Sequence, residues 1–309
     1  MSRDTWIGVD VGGTKVLAVR VTASGEVVDV ATRPMPGRTA PEPEVEQAVA
    51  DAVSDVADSA ADPAGGPARA VGVSVAGLVD RAGERYLFGA HLPWRDAPLR
   101  RRLAERTGRD VVLENDANCA AYAELHAGAA RGVDSALLVT IGTGIGGALV
   151  LDRRLVRGAH GLAGEFGHMQ VVPDGLACEC GLRGCWEQYC SGRALERVTR
   201  VALGKHRDGP EVAAMAAAGD VVARQAFATV GTWLGVGVAG LVSAFDPELV
   251  VVGGGVSAVG DLLLVPARAA LRDSLQGTDH RPVPSLVSTE LGPEAGAIGA
   301  ALLARDGRA

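Results

Sequence analysis

One short stretch of the chain carries metal-binding chemistry: His168, Cys178, Cys180 and Cys185, spaced as His-x9-Cys-x-Cys-x4-Cys. Three thiolates and an imidazole are the donors that tetrahedral Zn²⁺ takes in closed sites, with Zn–S and Zn–N distances of about 2.3 and 2.0 Å. A full ligand set leaves no open coordination position, so the expected role is structural. The competing reading is a disulfide with a spare thiol. The opening Met-Ser-Arg-Asp-Thr-Trp runs straight into a β-like stretch without a signal-peptide pattern, which points to a cytoplasm with reduced thiols and against that reading. The glycine-rich path from Cys180 to Cys185 suits a chain wrapping closely around an ion, whereas Cys119 and Cys190 read as small apolar residues. Glu165 lies three residues before the histidine and Glu187 two after the last cysteine, so the metal would pin two carboxylates in space.

Two glycine clusters suggest anion binding. Asp10-Val-Gly12-Gly13-Thr14-Lys15 sits between two β-like runs, and Thr140-Ile-Gly142-Thr143-Gly144-Ile-Gly-Gly147 occupies the equivalent place further along. Glycines there would let the backbone turn sharply and aim several N–H groups at one anion. A single cluster is more often a plain hairpin; two in register favour a nucleotide held between two lobes. Neither matches a P-loop or a strand-to-helix Gly-x-Gly-x-x-Gly.

The elements that must position these residues follow from periodicity. Thr5–Val11, Lys15–Val21 and Glu26–Thr32 read as a three-strand meander turning at Ser24-Gly25. Pro41–Ala61 carries Val45, Val49, Ala52, Val53 and Val56 at helical spacing and precedes a Pro/Gly-rich turn at 62–67. Ala70–Val75 and Asp110–Leu113 have the unalternating apolar character of strands buried on both faces. The same grammar returns with strands at Ser135–Ile141, Ala148–Leu151 and Leu249–Val252, the last followed by Gly253-Gly254-Gly255. Helices are expected at Ser191–Leu203, over roughly 211–245 and at about 294–305. The chain therefore reads as mixed α/β with a duplicated unit.

At 309 residues and 48% hydrophobic content the chain has material for about two domains. No apolar run is expected to reach the ~18 to 20 residues of a spanning helix, because glycine, proline or charge interrupts the candidates. A net charge of −7 and 4% aromatic residues oppose a nucleic-acid groove. Neither membrane nor nucleic acid is an expected partner.

The chain resembles the ROK family of repressors and sugar kinases, within the actin-like superfamily, and most resembles its bacterial ATP-dependent glucokinases. The resemblance rests on six ordered motifs: Asp10–Lys15, Glu114-Asn-Asp-Ala-Asn118, the 140–147 loop, Gly164-Glu-Phe-Gly-His168, the run Cys178–Glu187 and Gly253-Gly-Gly-Val-Ser257. It implies an actin-like (ribonuclease H-like) duplicated sugar-kinase fold with two lobes around a cleft. A small lobe would span 1–117, with the C-terminal helix at 294–309 packed back on it, and a large lobe with the zinc motif 118–293. It implies ATP-dependent phosphorylation of glucose to glucose 6-phosphate. Glucose would be bound by Gly77, Asn115, Asp116, Glu165, His168 and Glu187. ATP would be bound by Asp10, Gly12, Gly13, Thr14, Lys15, Gly142, Thr143, Gly144, Gly254 and Gly255. Mg²⁺ and a structural Zn²⁺ are the implied metals, and a homo-oligomer, dimer or tetramer, the implied assembly.

Asp116 is the expected general base on the sugar 6-hydroxyl, since phosphoryl transfer asks for one group that orients and deprotonates the nucleophile. Standing alone it would read as a helix N-cap. Asp10 is expected to hold Mg²⁺ through water, against a plain turn former, and Gly254 and Gly255 to admit the adenosine, against a tight strand-to-helix turn. Glu165, Glu187 and Asn115 would match sugar hydroxyls, while His168 would give one ring nitrogen to zinc and the other to a hydroxyl. Ala76 stands where many family members have proline, and Asp152-Arg153 where Asn-Gly is common. Local loop differences are expected at both. Alternatives are a kinase for mannose, fructose or N-acetylmannosamine, and polyphosphate as donor. A repressor is set aside, since nine residues before Asp10 leave no room for a helix-turn-helix domain.

Overall fold

A computed structural model describes residues 4–37, 39–57 and 68–308. The chain divides into two compact units: Met1–Asp134 with Ala148–Gly164 and Glu290–Ala309, and Ser135–Gly147 with Glu165–Thr289. The boundary expected at 117/118 falls inside a helix, Asp116–Ala127, that belongs wholly to the first unit.

In chain order the first unit starts with β1 (Thr5–Val11), β2 (Lys15–Thr22), β3 (Val27–Pro34), α1 (Glu42–Ala57) and β4 (Val71–Val75). It continues with β5 (Leu78–Val79), β6 (Tyr86–Phe88), α2 (Leu99–Thr107), β7 (Val111–Asn115) and α3 (Asp116–Ala127). The sheet runs β3-β2-β1-β4-β7, with β1, β2 and β3 antiparallel and β1, β4 and β7 parallel. β4 is buried at every residue and β1 at all but Asp10, as strands covered on both faces must be. The five apolar residues of α1 form its buried stripe, and the expected extension to Ala61 with the 62–67 turn lies outside the described residues.

Further on come β8 (Ala136–Ile141), β9 (Ile145–Leu151), β10 (Arg154–Leu155), α4 (Gly192–Leu203), α5 (Gly209–Ala217) and α6 (Val221–Phe245). β11 (Leu249–Gly253), α7 (Asp261–Ser274), β12 (Ser285–Ser288) and α8 (Ala295–Arg305) complete the chain. The second sheet runs β10-β9-β8-β11-β12, with β9–β10 antiparallel and β8, β11 and β12 parallel. This is the strand order of the first sheet over again, the signature of a duplicated actin-like fold. The β9–β10 hairpin turns at Asp152 and Arg153, both left-handed with φ of 49° and 60°, so two non-glycine residues make the turn.

Helix α8 lies against β1, β4 and α3, and glycines set the distance. A Cβ on Gly8 would stand 1.8 Å from the Ala297 carbonyl oxygen, one on Gly72 1.8 Å from that of Ala300, and one on Gly299 1.7 Å from that of Cys119. Alanine at any of the three would force backbones apart, a cost of about 1–3 kcal/mol or more.

α6 corrects the expectation that no apolar run could span a membrane: its 25 residues suffice by length and composition. The glycines that break its apolar run do not break the helix; they pack it. Cβ atoms on Gly231 and Gly235 would clash with α7, 2.5 Å from the Leu263 oxygen and 2.3 Å from that of Ala267. One on Gly237 would enter the Trp186 indole at 2.0 Å. The helix is a mostly buried core element of the second unit.

Candidate active site

In the first unit, β7 delivers Asn115 and Asp116 to the start of α3. Asn115 is the N-cap: its Oδ1 accepts the Asn118 amide at 3.1 Å, so Asp116 is the first helical residue rather than the cap. Asp116 Oδ1 accepts from Asn115 Nδ2 at 3.0 Å and from the Ala117 amide at 2.9 Å. The two donors fix the direction of the carboxylate, as a proton acceptor requires. Asn115 Nδ2 also donates to the Gly77 carbonyl at 3.0 Å. Gly77 has no alternative there, since its φ is 139° and a Cβ would lie 2.5 Å from the Tyr86 hydroxyl.

Behind this corner lies a carboxylate whose function the sequence did not reveal. Glu114 Oε1 accepts the Asn115 amide at 3.0 Å and Asn118 Nδ2 at 3.1 Å, while Oε2 accepts Arg157 Nε at 2.6 Å. Its side chain is buried, so it braces Asn115 from within. Spacing offers no hint of it, because Arg157 arrives from 43 residues away.

Asp10 sits in β1 itself, not in the turn. Protein encloses most of its carboxylate, although one edge reaches solvent; burial raises its pKa, opposed by the Ser74 hydroxyl, which donates to Oδ1 at 2.6 Å, and by the Lys15 charge. An enclosed carboxylate of this kind, aimed beside a glycine loop, fits a hydrated divalent cation. Gly12, Gly13, Thr14 and Lys15 form that loop, closed by the Gly12 amide on the Lys15 carbonyl at 3.0 Å. Thr14 and Lys15 are exposed, and Gly13 faces His91, a residue with no motif around it.

In the second unit the four candidate metal ligands come together. The ligand atoms of His168, Cys178, Cys180 and Cys185 all lie within 4.8 Å of one another. Cys180 Sγ and Cys185 Sγ are 3.6 Å apart, and Cys178 Sγ is 3.7 Å from His168 Nδ1. A tetrahedron with Zn–S bonds of about 2.3 Å has edges of about 3.8 Å, so the donors fit zinc. His168 turns Nδ1 to the thiols and Nε2 toward Glu165, 3.9 Å from Oε2. Burial raises the Glu165 pKa, opposed by His168, and Glu187 adds a smaller rise. Glu187 Oε2 accepts the Ile145 amide at 3.1 Å, and Oε1 lies 3.9 Å from Cys178 Sγ.

A separate pocket of ≈ 560 Å³ in the second unit takes in Gly142, Thr143, Gly192, Pro210, Gly255 and Val256. Gly142 and Gly255 keep ordinary φ, and a Cβ on either would meet nothing within 4 Å. Neither a left-handed φ nor packing demands glycine at these two positions, so both present open backbone to the pocket. Gly144, Gly12 and Gly13 also lack a positive φ, while the backbone turns tightly in both loops, the Gly12 amide donating to the Lys15 carbonyl and the Gly142 amide to the Gly144 carbonyl, each at 3.0 Å. Gly144 faces Glu187, with a Cβ 2.2 Å from Oε2. Gly254 is the tight turn, with φ 85° and a Cβ 2.5 Å from the Ile141 oxygen; neither lines the pocket. Arg193 and Glu196 also line it and were not foreseen. The Ser191 cap ahead of α4, which accepts the Ala194 amide at 3.1 Å, was the available signal.

Comparison with known proteins shows the family of the chain. The family model described as "ROK family" matches residues 6–307. A glucokinase of Streptomyces coelicolor is 39% identical over 97% of both chains. The crystal structure of a ROK family glucokinase from Streptomyces griseus, in complex with glucose and AMPPNP, is 40% identical, with a TM-score of 0.85 over 98% of this chain and 99% of that one. A ROK hexokinase from Thermus thermophilus is 38% identical, with a TM-score of 0.82 over 98% of both. With its duplicated sheets, glycine loops and Cys₃His cluster, the chain belongs to the ROK family.

Proposed function

We propose that the protein is a glucokinase, transferring the ATP γ-phosphoryl group to the 6-hydroxyl of glucose with Asp116 as general base. The activity is supported by glucokinases similar over the whole chain, one of them bound to glucose and AMPPNP. The single observation that supports the base is the Asp116 carboxylate, held by two N–H donors on one oxygen at a helix start. That carboxylate takes the 6-hydroxyl proton as the sugar oxygen attacks phosphorus; the phosphoryl group leaves ADP and the proton passes to Asp116.

Asn115, Glu165, His168, Glu187 and the Gly77 segment bind the sugar hydroxyls, with His168 Nε2 the nitrogen available on that side. Gly12, Gly13, Thr14, Lys15, Gly142, Thr143 and Gly144 receive phosphates, and Gly254 and Gly255 border the adenosine. Asp10 holds hydrated Mg²⁺, which when bound neutralises charge on the phosphates. His168, Cys178, Cys180 and Cys185 hold a structural Zn²⁺ that fixes Glu165 and Glu187. The protein works in the cytoplasm as a homo-oligomer.

A coupled assay over glucose, mannose, fructose and N-acetylmannosamine, each with ATP and with polyphosphate, tests this reading. Glucose with ATP should have the highest kcat/KM; a higher value for another pair would replace it.

A further inference from the structure

One carboxylate, Glu196 of α4, lines the pocket of ≈ 560 Å³ in the second unit. The glucokinase reading above makes this pocket the nucleotide site, and the inference rests on that reading. We propose that Glu196 determines donor specificity there: its carboxylate accepts hydrogen bonds from the ribose hydroxyls and so selects a ribonucleotide as phosphoryl donor.

An ionised carboxylate only accepts hydrogen bonds, and it repels phosphate charge. The groups it can recognise on ATP are therefore the neutral donors, the ribose hydroxyls and the adenine amine. Position separates the two. Gly192 starts α4 against the candidate phosphate loop: its amide donates to the Gly142 carbonyl at 2.8 Å, and a Cβ there would stand 2.9 Å from the same oxygen. Glu196 lies four residues further on, about 6 Å along the helix axis. There it meets α5, where its Oε1 accepts the Gly209 amide at 3.2 Å. Pro210 and Ala213 of α5 join Phe227 and Val256 as apolar lining suited to a base. The carboxylate thus stands between a phosphate loop and an apolar wall, which is the place of the sugar in a nucleotide.

Glu196 is held in position without being neutralised. Among the described residues its hydrogen bond comes from the Gly209 amide, and no ion pair joins it. Arg193, the one basic residue lining the pocket, places Nη1 2.7 Å from Glu179 Oε1 instead. Helix α5 has its own cap: Asp208 Oδ1 accepts the Glu211 amide at 2.8 Å, and Glu211 Oε2 accepts the Asp208 amide at 3.1 Å. One oxygen of Glu196 therefore fixes the side chain, and Oε2 remains for a ligand. A site built on such an acceptor penalises a ligand that lacks the hydroxyl, because the carboxylate then goes unpaired.

The test is coupled-assay kinetics at saturating glucose with ATP, 2′-deoxyATP, 3′-deoxyATP and ITP as donors. The full chain is compared with Glu196→Ala and Glu196→Gln, with Tm measured beside each. Wild type should favour ATP over at least one deoxy donor by about tenfold or more in kcat/KM. Glu196→Ala should lose more with ATP than with that deoxy donor, bringing the ratio toward one. Glu196→Gln keeps an acceptor for the Gly209 amide and should move the ratio the same way by less, which preserves the test if Glu196→Ala does not fold. Wild type that uses both deoxy donors as well as ATP overturns the inference. So does an equal loss with every donor, the mark of a residue that only supports α5. A ratio that moves for ITP and not for the deoxy donors gives the carboxylate to the adenine amine and overturns it too. No turnover of ATP by wild type would sink the glucokinase reading and this inference with it, whereas an unchanged ratio in active variants sinks the inference alone.

Discussion

Glu187 Oε2 accepts the backbone amide of Ile145 at 3.1 Å, joining the residue two places after a zinc-cluster cysteine to the loop that begins at Gly142. The same carboxylate leaves no room for a side chain at position 144, where a Cβ would stand 2.2 Å away. Glu187, itself a candidate sugar ligand, thereby couples the Cys₃His cluster to a candidate phosphate loop.

Gly144→Ala should therefore displace the Glu187 carboxylate, which is the flexible partner in the clash. KM should rise for glucose as well as for ATP, by about tenfold each, reflecting loss of roughly one charged hydrogen bond. Steady-state kinetics with each substrate varied in turn checks it; an effect on ATP alone would mean that the contact does not transmit.

Asp116→Asn keeps the shape of the helix start and removes the proton acceptor. A loss of about 10²- to 10⁴-fold in kcat is expected, with little change in glucose KM or in Tm. Near-normal turnover in the folded, zinc-loaded variant would take the base role away from this residue.

Zinc removal should act on recognition. Chelation, or Cys180→Ser at the exposed ligand, is expected to lower Tm and raise the glucose KM or abolish activity, although zinc performs no chemistry. Metal content by atomic absorption, read beside glucose KM, decides the matter. Unchanged KM in metal-free protein would make the cluster a fold staple alone.

Acid should loosen the α3–α8 contact. The His126 pKa is lowered from 6.5 by burial first and then by Arg305, and its Nε2 has no hydrogen-bond partner among the described residues. As pH falls through the unfolded value the unfolded chain takes a proton that the native state refuses, so stability declines with it. Asp306 works in the same direction below its ordinary 3.8: burial raises its pKa, but Arg305 and the Tyr122 hydroxyl, donating at 2.6 Å, together outweigh that and hold it low. Thermal melts from about pH 7 to about pH 5 should show a smaller loss of Tm in His126→Phe than in wild type. Equal losses in the two proteins would remove His126 from the account.

Local chemistry was legible from the chain alone. Buried apolar runs marked β4, β7 and β11, helical spacing marked α1, and ligand types at close spacing marked the Cys₃His group, because each of these depends on neighbours in sequence. Three things depended on tertiary structure. The glycines of α6 read as interruptions until α7 and Trp186 showed what they pack against. β12 has only four residues, and its place beside β11 comes from pairing across 36 positions. The brace on Asn115 joins Glu114 to Arg157 and Arg308, 43 and 194 residues away. Charge pairs and backbone contacts at such separations leave no periodic trace, so the sequence determined which residues could do chemistry and the fold decided which of them share a carboxylate.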